Sequence, residues 1–312
     1  MWRSPDPRFD VASAISRGGR EYQEDAVVTD FPVGSDSGFI VLADGMGGHA
    51  AGDVASKIVL TEVYSELKFQ SPNFLDFEAE IPDYLHAAAD AANASVRGHV
   101  SNNPETHGMG ATLVSIVLVE DRLFWMSIGD SPLYLFRGGK MSQLNEDHSM
   151  APQIDFMIKS GLMDPEVGKN HPDRNCLTSV ILGEKVAKVD CPDKPIDMQE
   201  GDIIIVSSDG LQYLEDRQIE RIVVKNRRKS SAEISRLLLA AIDSLDDPDQ
   251  DNVSFSIVKV NHIERYKRLA RAPKSRNSLG SANGTKAVPY SDVVNLPDFQ
   301  EPPTRLVAGS KK

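Results

Sequence analysis

The sequence predicts an α+β fold in which two mainly antiparallel sheets pack together with helices on the outside. Two observations predict it. Short apolar runs typical of strands come in consecutive groups, and longer helical patterns come in pairs rather than in strict alternation with the strands. Strands that follow one another directly favour antiparallel pairing, whereas a doubly wound parallel sheet needs a helix between its strands.

Six short apolar runs are predicted to be strands. They are Phe39–Ala43, Ala111–Val119, Leu123–Ile128, Leu133–Phe136, Ile203–Val206 and Val253–Val260. The last run alternates apolar and polar residues, which is typical of a half-buried strand. The pairs Glu120-Asp121 and Gly138-Gly139 are predicted to form hairpin turns between such strands.

Five longer segments carry helical patterns. They are Ala51–Leu67, Tyr84–Val100, Gln153–Met163, Glu215–Val224 and Ala232–Leu245. The first two follow the first predicted strand as a pair, and we find no internal repeat.

Composition limits the class of protein. Of the 312 residues, 40% are hydrophobic and 26% are charged, which is enough apolar material for a sizeable core. The net charge of -12 disfavours binding to a nucleic-acid backbone.

Cys176 and Cys191 fit neither a disulfide framework nor a zinc knuckle, which favours a reducing compartment. The N-terminus lacks the apolar run of a signal peptide, and no stretch approaches the roughly 18 apolar residues of a membrane span. We therefore expect a cytoplasmic protein without membrane partners.

Charge divides the chain into two parts. Residues 262–312 carry five Lys and five Arg against four acidic residues, a charge of +6, which leaves -18 for residues 1–261. The tail is rich in Ser, Pro, Gly and Asn and lacks hydrophobic periodicity, so we predict a folded domain over 1–261 and a mostly disordered basic tail over 262–312.

Four aspartates lie where predicted strands begin or end. Asp44 and Asp209 each end a buried-looking run and precede a glycine, Asp130 ends a third run, and Asp251 precedes the final strand. Each Asp-Gly pair alone is typical of a turn. Four carboxylates at rigid strand ends instead favour a shared site for Mg²⁺ or Mn²⁺, which prefer oxygen ligands.

Two further segments add polar chemistry near these aspartates in the sequence. Arg20 is followed by Glu24 and Asp25; a guanidinium suits bidentate capture of phosphate, and the two acids suit metal binding, directly or through water. His49 follows Asp44 in a glycine-rich loop, where a proton-transfer role is reasonable. Each feature alone is equally typical of an ordinary protein surface.

In their order along the chain, these residues resemble the bacterial form of the metal-dependent protein phosphatases, the protein phosphatase 2C type of serine/threonine phosphatase. The resemblance runs from about Ile15 to Val260. The matching motifs are Arg20-x-x-x-Glu24-Asp25-Ala26, Asp44-Gly-Met-Gly-Gly-His49, Gly108-Met-Gly110-Ala-Thr112, Gly129-Asp130-Ser131, Glu146-Asp147-His148-Ser149, Ser208-Asp209-Gly210 and Asp251-Asn252.

The resemblance implies a four-layer α/β/β/α sandwich with a site for two Mn²⁺ or Mg²⁺ ions at one end. By position, Asp44 would bridge both metals, the Gly45 carbonyl would bind one, and Asp209 and Asp251 would complete the second. It further implies that Glu24 and Asp25 act at or near the ions, and that Asp130 with Asp209 holds a weaker third metal.

The chemistry implied by the resemblance is hydrolysis of phosphoserine and phosphothreonine by attack of a metal-bridging hydroxide. Arg20 would hold the phosphate oxygens, and His49 would give a proton to the departing alkoxide. The expected partners are phosphorylated proteins, both the targets of a serine/threonine kinase and the kinase itself.

The sequence departs from the family pattern in two places. Pro132 stands where arginine commonly follows Gly-Asp-Ser, which weakens the expectation of a third metal. The stretch Asn175–Gly183 matches the family only loosely, and with Asp147–Asp173 it is expected to form a flap beside the site.

Two alternatives stay open at this point. A two-metal phosphodiesterase would also use aspartates at strand ends, although the sequence lacks clusters of metal-binding histidines. A catalytically silent phosphoprotein-binding module would keep the fold and lose a ligand, whereas this sequence retains all the core carboxylates.

Overall fold

The computed structural model describes residues 7–47 and 51–261. His49 and the predicted tail, residues 262–312, lie outside these ranges. Within the described ranges, no helix combines the length and apolarity that crossing a membrane requires.

Eleven strands and six α-helices follow one another in the described ranges. The strands are β1 (Phe9–Ser16), β2 (Asp25–Asp30), β3 (Ser37–Met46), β4 (Gly110–Ala111), β5 (Leu113–Val119), β6 (Arg122–Ile128), β7 (Leu133–Arg137), β8 (Lys140–Gln143), β9 (Ile196–Asp197), β10 (Ile203–Ser207) and β11 (Val253–Val260). The helices are α1 (Ala51–Gln70), α2 (Ile81–Asn102), α3 (Ala151–Lys159), α4 (Pro165–Lys169), α5 (Asp216–Asn226) and α6 (Ser231–Asp243).

The strands form two sheets in which the described pairings are antiparallel. The first sheet has the order β1-β11-β10-β7-β8, and the second has the order β2-β3-β5-β6-β9, with β4 paired to β3. The first sheet therefore joins the beginning of the domain to its end, because β11 lies between β1 and β10.

Side-chain alternation along the strands builds three apolar layers. In β3, Phe39 and Val41 face helices α1 and α2, whereas Ile40 and Leu42 face the other sheet. In β10, Ile204 faces the layer between the sheets, and Ile205 faces helices α5 and α6. The four layers are thus helices, sheet, sheet and helices.

Helices α5 and α6 begin where the sequence supplies caps. Ser230 accepts a hydrogen bond from the Glu233 backbone N–H, and the Glu233 carboxylate accepts one from the Ser230 N–H, which forms a capping box at the start of α6. Glu215 and Gln218 form the same arrangement at the start of α5. The observed sandwich confirms the predicted fold class.

Several predicted bounds need correction. The segment predicted as one helix over Gln153–Met163 is α3, which ends at Lys159, followed by a turn with Gly161 at φ +71° and then α4. Strands β1, β2, β8 and β9 were not predicted, because their sequences mix polar and apolar residues. Strand β11 has the predicted bounds.

Candidate metal centre

The layer between the two sheets changes from apolar to acidic at one end. In β3, Asp44 continues the row of Ile40 and Leu42, since alternate residues share a face. Asp44 therefore lies inside β3, and the prediction that it ends the strand is wrong. Strand β3 continues to Met46 because Gly45 and Met46 pair with β4.

Asp25 lies directly opposite Asp44 in the register of β2 and β3. Its side chain is buried, and one oxygen, Oδ2, accepts a hydrogen bond of 2.8 Å from the Ser208 hydroxyl. The other oxygen, Oδ1, has no hydrogen-bond partner among the described residues. Burial raises the pKa of Asp25 to about 7, and the charges of Asp209 and Asp251 contribute to the rise.

Asp209 brings a third carboxylate from the other sheet. It opens a single 3₁₀ turn directly after β10, and its side chain is within hydrogen-bonding reach of Asp44. Burial raises the pKa of Asp209, and the charge of Asp251 adds to this effect. Burial and four neighbouring carboxylates likewise raise the pKa of Asp44 well above its usual range.

Gly45 lies where the chain has no room for a side chain. A Cβ at Gly45 would come within 2.6 Å of the Glu24 carbonyl oxygen and would also collide with the Gly52 carbonyl. The Gly45 N–H donates to that Glu24 carbonyl at 3.0 Å. The Glu24 side chain accepts from the Gly52 N–H near the start of α1, and burial raises the pKa of Glu24.

Arg20 lies at the rim of the acidic cluster. Its Nη2 donates to Asp251 Oδ2 at 2.6 Å, and half of the Arg20 side chain is exposed. The neighbouring Asn252 amide donates to the carbonyls of Arg17 and Tyr22, while its oxygen accepts from the Glu24 N–H. Asn252 thereby fixes the Arg20 loop to the start of β11.

Asp130 follows β6 on a loop with several supports. Burial raises the pKa of Asp130 to about 7, with contributions from the charges of Asp209 and Asp147. The Ser131 hydroxyl lies 2.8 Å from that of Thr112, which also accepts a hydrogen bond from the Asp44 N–H.

Pro132 does not leave this loop unsupported. Its carbonyl accepts a hydrogen bond from the Ser207 N–H, and the Asn145 side chain bonds the Ser131 carbonyl and the Leu133 N–H. These contacts hold the loop without the arginine that is common in the family.

The predicted flap segment contains α3, α4 and the stretch that follows α4 up to Gly183. Arg174 pairs with Asp155 at 2.8 Å, and Ser149 forms an isolated bridge with Leu177. The Thr178 hydroxyl donates to the His148 carbonyl, and the His148 N–H donates to the Gly129 carbonyl, which connects this segment to the Asp130 loop.

The structure thus brings together Asp25, Asp44, Asp130, Asp209 and Asp251, with Glu24, Gly45 and Arg20 beside them. His49 lies outside the described residues. The sequence argument assigned no role to Asn252, Ser208 and Thr112, although each adjoins a predicted ligand in the chain or in a quoted motif.

The cluster fits a divalent cation on two observations. Burial, together with the charges of neighbouring carboxylates, raises the pKa of Asp25, Asp44 and Asp130, and one buried oxygen of Asp25 has no hydrogen-bond partner among the described residues. Across residues 7–47 and 51–261, however, no group of three or more His, Cys, Asp or Glu side chains is arranged to hold a metal ion directly. Mg²⁺ usually keeps several water ligands and binds through one or two carboxylates, so it does not require such a group.

Comparison with known proteins assigns the family. The model of the protein phosphatase 2C family matches residues 16–247. The chain belongs to the protein phosphatase 2C family. This confirms the predicted family, and the matched region contains the predicted acidic site except for Asp251.

Two curated bacterial relatives of this family are named as serine/threonine phosphatases. The phosphatase stp of Listeria monocytogenes is 30% identical over 192 residues, which are 62% of this chain and 73% of stp. The phosphatase PstP of Mycobacterium tuberculosis is 33% identical over 175 residues, which are 55% of this chain and 31% of PstP. The match therefore spans about a third of the PstP length.

A solved structure of a serine/threonine protein phosphatase has the same fold. The catalytic domain of PstP, crystallised with two manganese ions, superposes with a TM-score of 0.64 at 28% identity, covering 81% of this chain and 99% of that domain. The sandwich architecture is therefore shared over nearly the whole PstP domain.

Proposed function

We propose that this chain is a metal-dependent serine/threonine protein phosphatase. The observation that carries the proposal is the cluster of carboxylates from both sheets, with the exposed guanidinium of Arg20 at its rim. The naming of the stp and PstP relatives as serine/threonine phosphatases supports the same activity.

The proposed metal ligands are the residues that the cluster brings together. Asp44, the Gly45 carbonyl, Asp209 and Asp251 would hold two divalent ions, with Glu24 and Asp25 in direct or water-mediated contact. Asp130 would hold a third with Asp209. The ions, Mn²⁺ or Mg²⁺, would supply positive charge that acidifies a water molecule and offsets charge on the phosphoryl group.

The chain's own residues would position the phosphate and move the proton. Arg20 donates to Asp251 through Nη2, and half of its side chain is exposed. Its other N–H groups would bind phosphate oxygens. We assign His49 the transfer of a proton to the departing serine or threonine oxygen.

The proposed substrates are phosphoproteins of the cytoplasm, in opposition to a serine/threonine kinase that is itself a candidate substrate. The acidic body supports a protein substrate over a nucleic acid, because phosphodiester backbones are repelled by negative charge.

The test is phosphate release from a phosphothreonine peptide by the purified chain, first with EDTA and then with Mn²⁺ or Mg²⁺. We expect turnover that requires metal and falls at least about a thousandfold in Asp209→Ala, since the variant loses a proposed ligand of the second ion and of the third. Turnover in EDTA would contradict the proposal. Hydrolysis of bis-p-nitrophenyl phosphate without hydrolysis of the peptide would favour a phosphodiesterase.

A further inference from the structure

A second polar feature lies at the opposite end of β10 from the acidic cluster. A cleft of about 520 Å³ opens between the β7–β8 turn, the start of β10 and the end of α5. Ile203 lines it, whereas Asp209 lies six residues further along the chain. At about 3.3 Å per strand residue, roughly 20 Å separate the two positions. We call this feature the basic cleft.

Charge distinguishes the basic cleft from the rest of the domain. The segment from Arg217 to Lys229 holds six cations and one carboxylate, although residues 1–261 together carry -18. Two of these cations, Arg227 and Arg228, line the cleft and are exposed. None of the ion pairs between described residues includes either of them.

The helix dipole does not account for this concentration of charge. A cation near the C-terminus stabilises a helix, and Lys225 in the last turn of α5 fills that role. Arg227 and Arg228 follow the last residue of the helix, Asn226, and line the cleft without an ion pair to a described carboxylate.

The interior of the basic cleft is apolar. Phe136, Ile203 and Val223 form its buried wall, and Val224 is partly exposed. The one carboxylate on the lining is Glu200, so the lining carries two positive charges and one negative charge. A ligand must therefore place its acidic groups beside the arginines and an apolar group against the wall.

The turns around the basic cleft leave its mouth open. Gly138 and Gly139 form the β7–β8 turn with φ values of +60° and +82°, which match a tight hairpin turn that favours glycine. A Cβ at either position would meet nothing within 4 Å. The turn therefore does not obstruct the mouth of the basic cleft.

We propose that the basic cleft binds an acidic segment of a partner protein that also carries one aromatic or aliphatic side chain. The guanidinium groups of Arg227 and Arg228 pair with its carboxylates, and the apolar side chain packs against Val224. The site is separate from the metal centre, and its occupancy does not depend on the phosphatase activity proposed above.

The probe is a fluorescein-labelled peptide in which aspartates flank one phenylalanine, and its binding to the full chain is followed by fluorescence anisotropy. We expect Arg227→Glu/Arg228→Glu to weaken binding about tenfold or more, because two attractive pairs become repulsive. The matched control is Arg217→Glu/Arg221→Glu, which makes the same change in charge on exposed positions of α5 outside the cleft. We expect the control to retain affinity within about twofold.

Val224→Ser tests the apolar half of the cleft without changing charge. We expect it to weaken the phenylalanine peptide several-fold and to leave a peptide with alanine in that place unchanged. Thermal midpoints and turnover of p-nitrophenyl phosphate establish that each variant is folded. Should the arginine double variant fail to fold, Arg227→Gln and Val224→Ser carry the same comparison.

Four results would overturn the proposal. The first is the absence of peptide binding, and the second is an equal loss of peptide affinity in the Arg217→Glu/Arg221→Glu control. The third is tighter binding of phosphatidylserine vesicles or single-stranded DNA than of the peptide. The fourth is a rise in peptide affinity when Asp292, Asp298 and Glu301 are neutralised, which would identify the chain's own tail as the occupant.

Discussion

Two neighbouring residue pairs of β2 and β3 face the same layer and have opposite effects on the fold. Val27 lies opposite Leu42, and both pack in the apolar layer between the sheets. Two positions along, Asp25 lies opposite Asp44, and burial raises the pKa of both carboxyl groups. The apolar pair stabilises the sandwich by burying apolar surface, whereas the acidic pair is held in place by the packed sandwich. The acidic end therefore depends on the apolar pairs beside it for its geometry.

The largest expected effect is a loss of turnover when the acidic pair is changed, in contrast to a loss of stability when the apolar pair is changed. Asp44→Asn should lower metal-dependent turnover at least about a thousandfold and raise the melting temperature of the metal-free protein, because it removes a repelled carboxylate. Leu42→Ala should instead lower the free energy of unfolding by about 3 kcal/mol. Phosphate release and thermal denaturation, measured on both variants, check this contrast. A normal rate per folded molecule in Asp44→Asn would contradict it.

The pH dependence of stability should also distinguish the acidic end. The pKa of Asp25 is about 7 in the folded, metal-free protein and near 3.8 in the unfolded chain. The folded state therefore binds the Asp25 proton more tightly than the unfolded chain does. Protonation of Asp25 thus adds to the free energy of unfolding below pH 4, and this contribution is lost as the pH rises through 7. We expect the metal-free protein to lose about 2 kcal/mol of stability between pH 5 and pH 8.

Urea denaturation in EDTA across this pH range measures the effect. Asp25→Asn should flatten the profile, and Val27→Ala serves as the control that lowers stability equally at every pH. An unchanged slope in Asp25→Asn would show that the titration belongs to another group.

The smallest effect expected concerns Arg20. Arg20→Lys keeps the charge but loses the forked geometry that bonds Asp251 and phosphate together. We expect KM for a phosphothreonine peptide to rise about tenfold, with a smaller change in kcat. Steady-state kinetics at saturating Mn²⁺ measure both constants. A tenfold fall in kcat at constant KM would instead place Arg20 in the chemical step.

Sequence alone predicted the sandwich and its acidic residues better than it predicted the bounds of the elements around them. Strand β11 was predictable because its alternation is strong, and the aspartates were predictable because each interrupts or adjoins an apolar run. The extension of β3 through Asp44 was not predictable from the sequence, because an Asp-Gly pair favours a turn. Only the pairing of β3 with Asp25 and with β4 overrides that preference. The role of Asn252 depends on contacts with residues 228 or more positions away, which no local pattern reveals.

The position of β11 has a consequence for protein synthesis. This strand is the last of the described strands and lies between β1 and β10, so the first sheet is incomplete until residue 260 has left the ribosome. Asp251 and Asn252, which hold Arg20 and its loop, precede this strand directly. A nascent chain therefore lacks the complete acidic end until the whole domain has been translated, and the proposed activity begins only after release of the folded domain from the exit tunnel.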